Sequence, residues 1–222
     1  MKLSKEERRV IGTLVEKAYT TPEQCPLTLN SLVAGCNQKS CRDPVTNFDE
    51  GMILGVLDRL RQKGLAVLVR SGGSRVDRWR QSFADVFQAS PKETAILAEL
   101  LLRGPQTDGE LRQRASRMVS IDSLDEVGSL LRGLEGREEP LVVRLSPPGR
   151  KRGAKFAHGL YPDDESDAPD PETWDDGVDA PPPSASPSRP KVSVDVEGEL
   201  QALREQVDRL QKRVSALEEH RG

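Results

Sequence analysis

Three thiols and two clusters of cations are the groups in this sequence with chemistry to offer. Cys36 and Cys41 stand five residues apart in the stretch GCNQKSCRDPV, residues 35–45, and Cys25 lies eleven residues before them. A zinc site wants four ligands, usually as Cys or His pairs two to four residues apart. These spacings do not match, and the only histidines, His158 and His220, lie far along the chain. An odd number of thiols in a presumed reducing compartment also argues against a disulfide framework. No phosphate-binding glycine loop after a strand and no nucleophile elbow is present, and SGGS (residues 71–74) suits a hairpin tip better than a phosphate cradle. A Cys–His nucleophile pair through His158 has no recognisable motif behind it. The expectation is no catalytic residues, no metal, no cofactor and no enzyme activity.

The cations read differently. Arg70, Arg75, Arg78 and Arg80 flank one Gly-tipped turn, and Arg150, Lys151, Arg152 and Lys155 crowd a second. From such tips guanidinium and ammonium groups reach phosphate oxygens, the sequence-independent part of nucleic-acid binding. Lys39 and Arg42 extend the first patch, so these ten residues form the expected DNA-binding set. Arg59, Arg61, Arg112, Arg114 and Arg117 add cations of the kind that exposed helix faces carry routinely.

These groups need a scaffold, and helix starts are legible. A capping oxygen followed three residues later by Glu satisfies the unpaired amides of a first turn. The pattern occurs at Ser4/Glu7, Asn47/Glu50, Ser90/Glu93, Thr107/Glu110 and Ser123/Glu126, with Gly64 and Gly104 placed to end helices. Val10, Ile11, Leu14, Val15 and Ala18 form an apolar stripe behind the first cap. A short second helix follows in TLNSLVAGC, then a third from about Asn47 to Lys63. LAVLV and VDRWR around RSGGSR then read as a hairpin. The order repeats between residues 90 and 161. Three helices and a hairpin, twice, predict a mainly α fold with small β-hairpins: two tandem winged-helix domains, residues 1–84 and 85–161. The third helices open on NFDEG and DSLDE, acids that a polyanion would repel.

Net charge is segregated. Residues 1–161 hold 26 Lys and Arg against 20 Asp and Glu, whereas residues 162–196 hold 2 against 10. Residues 162–195, rich in Asp, Pro and Ser, are expected to be a disordered acidic linker. That strip, with Trp174 as an anchor, either occupies the basic hairpin in competition with nucleic acid or serves as a solvated spacer. Within residues 196–220, Val196, Leu200, Leu203, Val207, Leu210, Val214 and Leu217 follow a heptad, which predicts a coiled-coil helix and a homodimer. The charged N-terminus offers no signal peptide and no stretch approaches a membrane span, so the expected location is cytoplasmic, with no membrane partner.

The stretches TTPEQCPLTLNSLVAGCNQKSCRDPV (20–45) and LLLRGPQTDGELRQRASRM (100–118) resemble the YceH family of bacterial proteins. The resemblance spans about residues 4–161 and implies two tandem winged-helix domains and no particular reaction. Cys25 and Cys41 depart from it, where Tyr and Asn or Ser are expected. The leading expectation is a regulator that binds double-stranded DNA through its hairpins; the alternative is a non-enzymatic scaffold that docks a protein partner.

Overall fold

The computed structural model describes residues 1–70, 76–146, 153–163, 165 and 169. The acidic linker beyond those positions and the heptad segment lie outside the described residues, as do Arg75, Arg150, Lys151 and Arg152. The chain is mainly helical, with two small antiparallel sheets.

Helix α1, Lys5–Thr20, starts where sequence puts it: Ser4 accepts the Glu7 amide while the Glu7 carboxylate accepts the Ser4 amide. Val10, Ile11, Leu14 and Val15 of its apolar stripe are buried and Ala18 is half-buried, but Arg8, Arg9, Thr13 and Glu16 are buried too. The reason is that α1 is covered twice, by α2 (Leu29–Cys36) and α3 (Glu50–Gln62) of its own repeat and by α5 (Pro91–Arg103) of the next. A methyl group built on Gly12 would meet Leu102 Cγ at 3.0 Å and Leu101 Cβ at 3.4 Å, so the missing side chain lets α1 and α5 approach closely.

The start of α3 differs from expectation. Its cap is Asp49, which accepts the Met52 amide at 2.7 Å, not Asn47. The Asn37 side chain explains the shift: its Nδ2 donates to the Phe48 carbonyl and its Oδ1 accepts the Phe48 amide, both at 2.8 Å, which pins residue 48 before the helix can begin. Helices α5, α6 (Asp108–Ala115) and α7 (Leu124–Glu135) begin at the predicted Ser90, Thr107 and Ser123 caps. Gly64 and Gly104 end helices at φ of 75° and 73°, a region that penalises a side chain.

Each repeat closes with a hairpin, and each hairpin carries a third strand that sequence alone did not reveal. Strand β1 (Leu27–Thr28) pairs antiparallel with β3 (Arg78–Gln81), which pairs with β2 (Ala66–Val69), in the order β1-β3-β2. The second sheet, β4 (Gln106–Thr107), β6 (Lys155–His158) and β5 (Val142–Arg144), repeats the arrangement as β4-β6-β5. Two-residue strands leave no period-2 signal to read.

The FADVF linker between the repeats is helix α4, Phe83–Phe87, with Phe83 fully buried and its ring 4.6 Å from that of Phe87. Val10, Ile11 and Leu14 of the first repeat join Ile96, Leu97, Leu131 and Leu134 of the second in one hydrophobic core. The two repeats therefore share a core within one compact unit, Met1–Asp175. Among the described residues, no helix is long and apolar enough to cross a membrane.

Candidate functional site

The thiol-bearing corner proves to be a structural clamp. Cys36 is fully buried, its Sγ donates to Thr13 Oγ1 at 3.6 Å, and burial pushes its pKa up to about 11, so it carries almost no thiolate at neutral pH. Cys25 and Cys41 are half-buried free thiols. Among the described residues no group of three His, Cys, Asp or Glu side chains is placed to hold a metal ion.

Arg42, expected on the surface, is only 5% exposed and points inward. Its Nε donates to the Gly35 carbonyl at 3.0 Å, its Nη1 to the Cys41 carbonyl at 2.8 Å, and its guanidinium clamps the Glu16 carboxylate. Arg117 reaches the same carboxylate and also donates to Glu99 Oε1, at 2.9 Å from Nε and 2.6 Å from Nη2. Burial pushes the Glu16 carboxyl up, but the two guanidinia outweigh it and hold its pKa below the ordinary value. Arg42 is thus removed from the phosphate-contact set, because a buried charge needs its partner more than a surface needs the charge. The chain of Arg42, Glu16, Arg117 and Glu99 ties the corner and α1 to α5 and the segment after α6, across the two repeats.

The remaining described cations of the set stay on the surface in different states. Lys39 and Arg80 are exposed. Arg70 pairs with Asp77 at 3.0 Å, both largely exposed, and exposed pairs of this kind are weak. Arg78 is half-buried and donates to the Pro26 carbonyl at 3.1 Å. Strand alternation turns Trp79 inward and puts Arg78 and Arg80 together on the outer face of the sheet. Lys155 is half-buried at the start of β6. Of the acids that open the third helices, Asp49 serves as a cap and Glu126 is paired with Lys92.

Sequence reasoning missed a second feature. A cavity of about 420 Å³ lies between the start of α1, residues 43–48, the end of α5 and residues 158–161. Arg8 and Arg9 both line it. Arg8 grips the Glu165 carboxylate with two parallel bonds, Nη1 to Oε2 at 2.6 Å and Nη2 to Oε1 at 2.7 Å, and also donates to the Leu3 carbonyl at 2.8 Å. Its guanidinium lies 4.6 Å from the centroid of the Tyr161 ring, which stacks on His158 at 3.9 Å. Arg9 is 4% exposed; its Nη2 donates to the Pro44 carbonyl at 2.5 Å, while its buried Nη1 has no hydrogen-bond partner among the described residues. Burial and then the neighbouring Arg42 guanidinium draw the Arg9 pKa below the usual arginine value. A signal was available in the sequence: Arg8 stands three and seven residues before Ile11 and Val15, on the buried stripe.

His158 is held neutral there. Burial, followed by the positive charge of Arg8, puts its pKa well below the usual 6.5, and its Nδ1 accepts the Leu160 amide at 3.2 Å. A depressed folded pKa favours the neutral form, so the stability it confers is complete above the unfolded value and is lost as pH falls below it. Lowering pH from about 6.5 to about 5.5 is expected to cost at most about 1 kcal/mol through this group, since the unfolded imidazole is already half protonated at the upper value. The lowered carboxyls of Glu16 and Glu93 act only below their ordinary value of 4.5. Urea midpoints at the two pH values, compared between the native chain and His158→Gln, isolate the contribution: the variant should lose most of the slope.

The family described as "Protein of unknown function, DUF480" matches residues 3–151. The chain is 49% identical over 168 residues to a "UPF0502 protein" of Pelobacter propionicus, covering 76% of each. It is 53% identical over 146 residues to one of Citrifermentans bemidjiense, covering 65% of this chain and 67% of that one. It is 42% identical over 213 residues to one of Geotalea uraniireducens, covering 92% of this chain and 91% of the relative. With a family match over most of its length and relatives about half identical along three quarters of it, this chain belongs to the DUF480 (UPF0502) family of bacterial proteins, as the YceH resemblance of its corner motif implied.

Proposed function

We propose that the chain is a cytoplasmic, non-enzymatic tandem winged-helix protein that binds double-stranded DNA in a regulatory role, with its hairpins on the phosphate backbone and its heptad segment pairing two copies. Supporting the winged-helix reading is the element order α1-β1-α2-α3-β2-β3, repeated as α5-β4-α6-α7-β5-β6, in which the first strand of each repeat adds to the last. The observation that carries the DNA reading is the joint presentation of Arg78 and Arg80 on the outer face of β3, with Arg70 at the end of β2 and Lys39 exposed before α3. Pairing of Glu126 and capping by Asp49 leave fewer free acids near the ligand than the sequence suggests. Base readout by the third helices is not part of the proposal, since Glu50 and Asp125 remain exposed at their starts.

The experiment is a titration of the full chain against a fluorescent duplex at about 50 and 200 mM salt, the range over which counterion release shows. Substituting Arg150, Lys151 and Arg152 by serine should weaken binding and lower the salt slope by about three, near 0.9 for each phosphate that is no longer neutralised. An unchanged slope, or no wild-type binding, rejects the DNA reading. A second reading, docking of a protein partner, is favoured by one observation: Met52 and Leu54 of α3 and Val76 beside Trp79 are exposed apolar side chains. Under it, Met52→Asp with Leu54→Asp removes partner capture and leaves DNA titrations unaltered.

A further inference from the structure

None of the described hairpin cations, Arg70, Arg78, Arg80 and Lys155, lines the Arg8 and Arg9 cavity, and its features do not depend on DNA binding. A buried arginine with an unpartnered Nη1 is costly to leave in place, because a desolvated donor forfeits its water without compensation. Next to it Arg8 already shows what the cavity accepts: a carboxylate, held by both arms of its fork, with the cation over an aromatic face. Pro44, Phe48, Leu100, Leu101 and Tyr161 give the wall an apolar and aromatic part beside its polar and charged groups. At about 420 Å³ the space is in the range of small-molecule sites, where an apolar lining and a few convergent polar groups are usual.

We propose that this cavity is a binding site for a small monocarboxylate with a flat apolar body, which takes the Arg8 guanidinium in place of Glu165. The ligand's carboxylate makes the paired bonds that Glu165 makes in this structure, its ring system lies against Phe48 and Tyr161, and Arg9 adds positive field from the buried side. Monoanions are favoured over phosphates because Glu6 and Asp43, two acids against the single Lys5 ammonium, also line the cavity and oppose a second negative charge. Glu165 is then an internal competitor: it belongs to the acidic stretch that begins at Asp163, so occupancy of the cavity by a ligand displaces the root of that stretch from α1. A competitor on the same chain lowers apparent affinity by the fraction of time it leaves the site open.

The probe is 2-naphthoate, titrated calorimetrically into the full chain, with acetate, 2-naphthamide and 2-naphthyl phosphate as comparisons. Binding of 2-naphthoate is expected in the native chain. In Glu165→Gln it should tighten about tenfold if Glu165 holds Arg8 roughly nine-tenths of the time. Asp163→Asn removes the same charge from an exposed pair with Lys2 and should leave affinity unchanged. Arg9→Met, checked for folding by its circular dichroism and thermal midpoint, should weaken binding about tenfold or more. Equal affinity in the native chain and Glu165→Gln places the probe away from Arg8 and overturns the assignment, as does absence of binding in both. Equal tightening in Asp163→Asn reduces the effect to long-range charge and also overturns it. Tighter binding of the amide or the phosphate than of the carboxylate overturns the ligand class. The Glu165→Gln comparison keeps the proposal testable even if Arg9→Met does not fold.

Discussion

Replacing Glu16 by leucine is expected to destabilise the chain by about 3–5 kcal/mol, the cost of stranding a buried charge whose partner has been removed. Glu16 is only 1% exposed and its carboxylate receives both Arg42 and Arg117. Arg117 keeps Glu99 after the substitution, but Arg42 retains only neutral acceptors: the Gly35 and Cys41 carbonyls and, at 3.3 Å, Gln38 Oε1. Urea unfolding followed by circular dichroism measures the loss. Pairing Glu16→Leu with Arg42→Met puts apolar atoms where the ion pair was and should recover more than half of it, since the two changes are coupled rather than additive. A single-variant cost under about 1 kcal/mol would mean that water reaches Arg42 and that the corner is not closed.

Phe83→Ala is expected to cost about 3–5 kcal/mol, the range for emptying a buried aromatic site. The ring is fully buried at the start of α4, its amide donates to Gln81 Oε1 at 2.6 Å, and it packs in the core shared by both repeats. Because that core is continuous, the loss should appear as one displaced transition rather than as early melting of a single repeat. Differential scanning calorimetry of the full chain and the variant reads both quantities. Two separable transitions for the described region would show that α1 and α5 do not couple the repeats. The expected outcome also answers whether the linker is a hinge: a five-residue helix with a buried aromatic at its first position is a joint under load on both sides.

By itself, the order of side chains along the chain determined the main helices and hairpins and their duplication, though not β1, β4 or α4. Ser4, Ser90, Thr107 and Ser123 start helices because a cap is a contact among residues three apart, and Gly64 and Gly104 end them because φ is a property of one residue. The hairpins were legible for the same reason: alternation and turn chemistry are local. Only tertiary structure decided which charged residues are buried. Arg42 reads as a surface cation until Glu16, twenty-six residues away, is brought against it. Asn47 reads as a cap until Asn37 takes the Phe48 backbone and moves the start of α3 to Asp49. Arg8 and Arg9 acquire meaning only when α5, His158, Tyr161 and Glu165 close over α1 and leave a cavity between them. An ion pair or a cavity is a relation between segments distant in sequence, and the same arginine gains solvation at a surface or demands a partner in a core according to what packs against it.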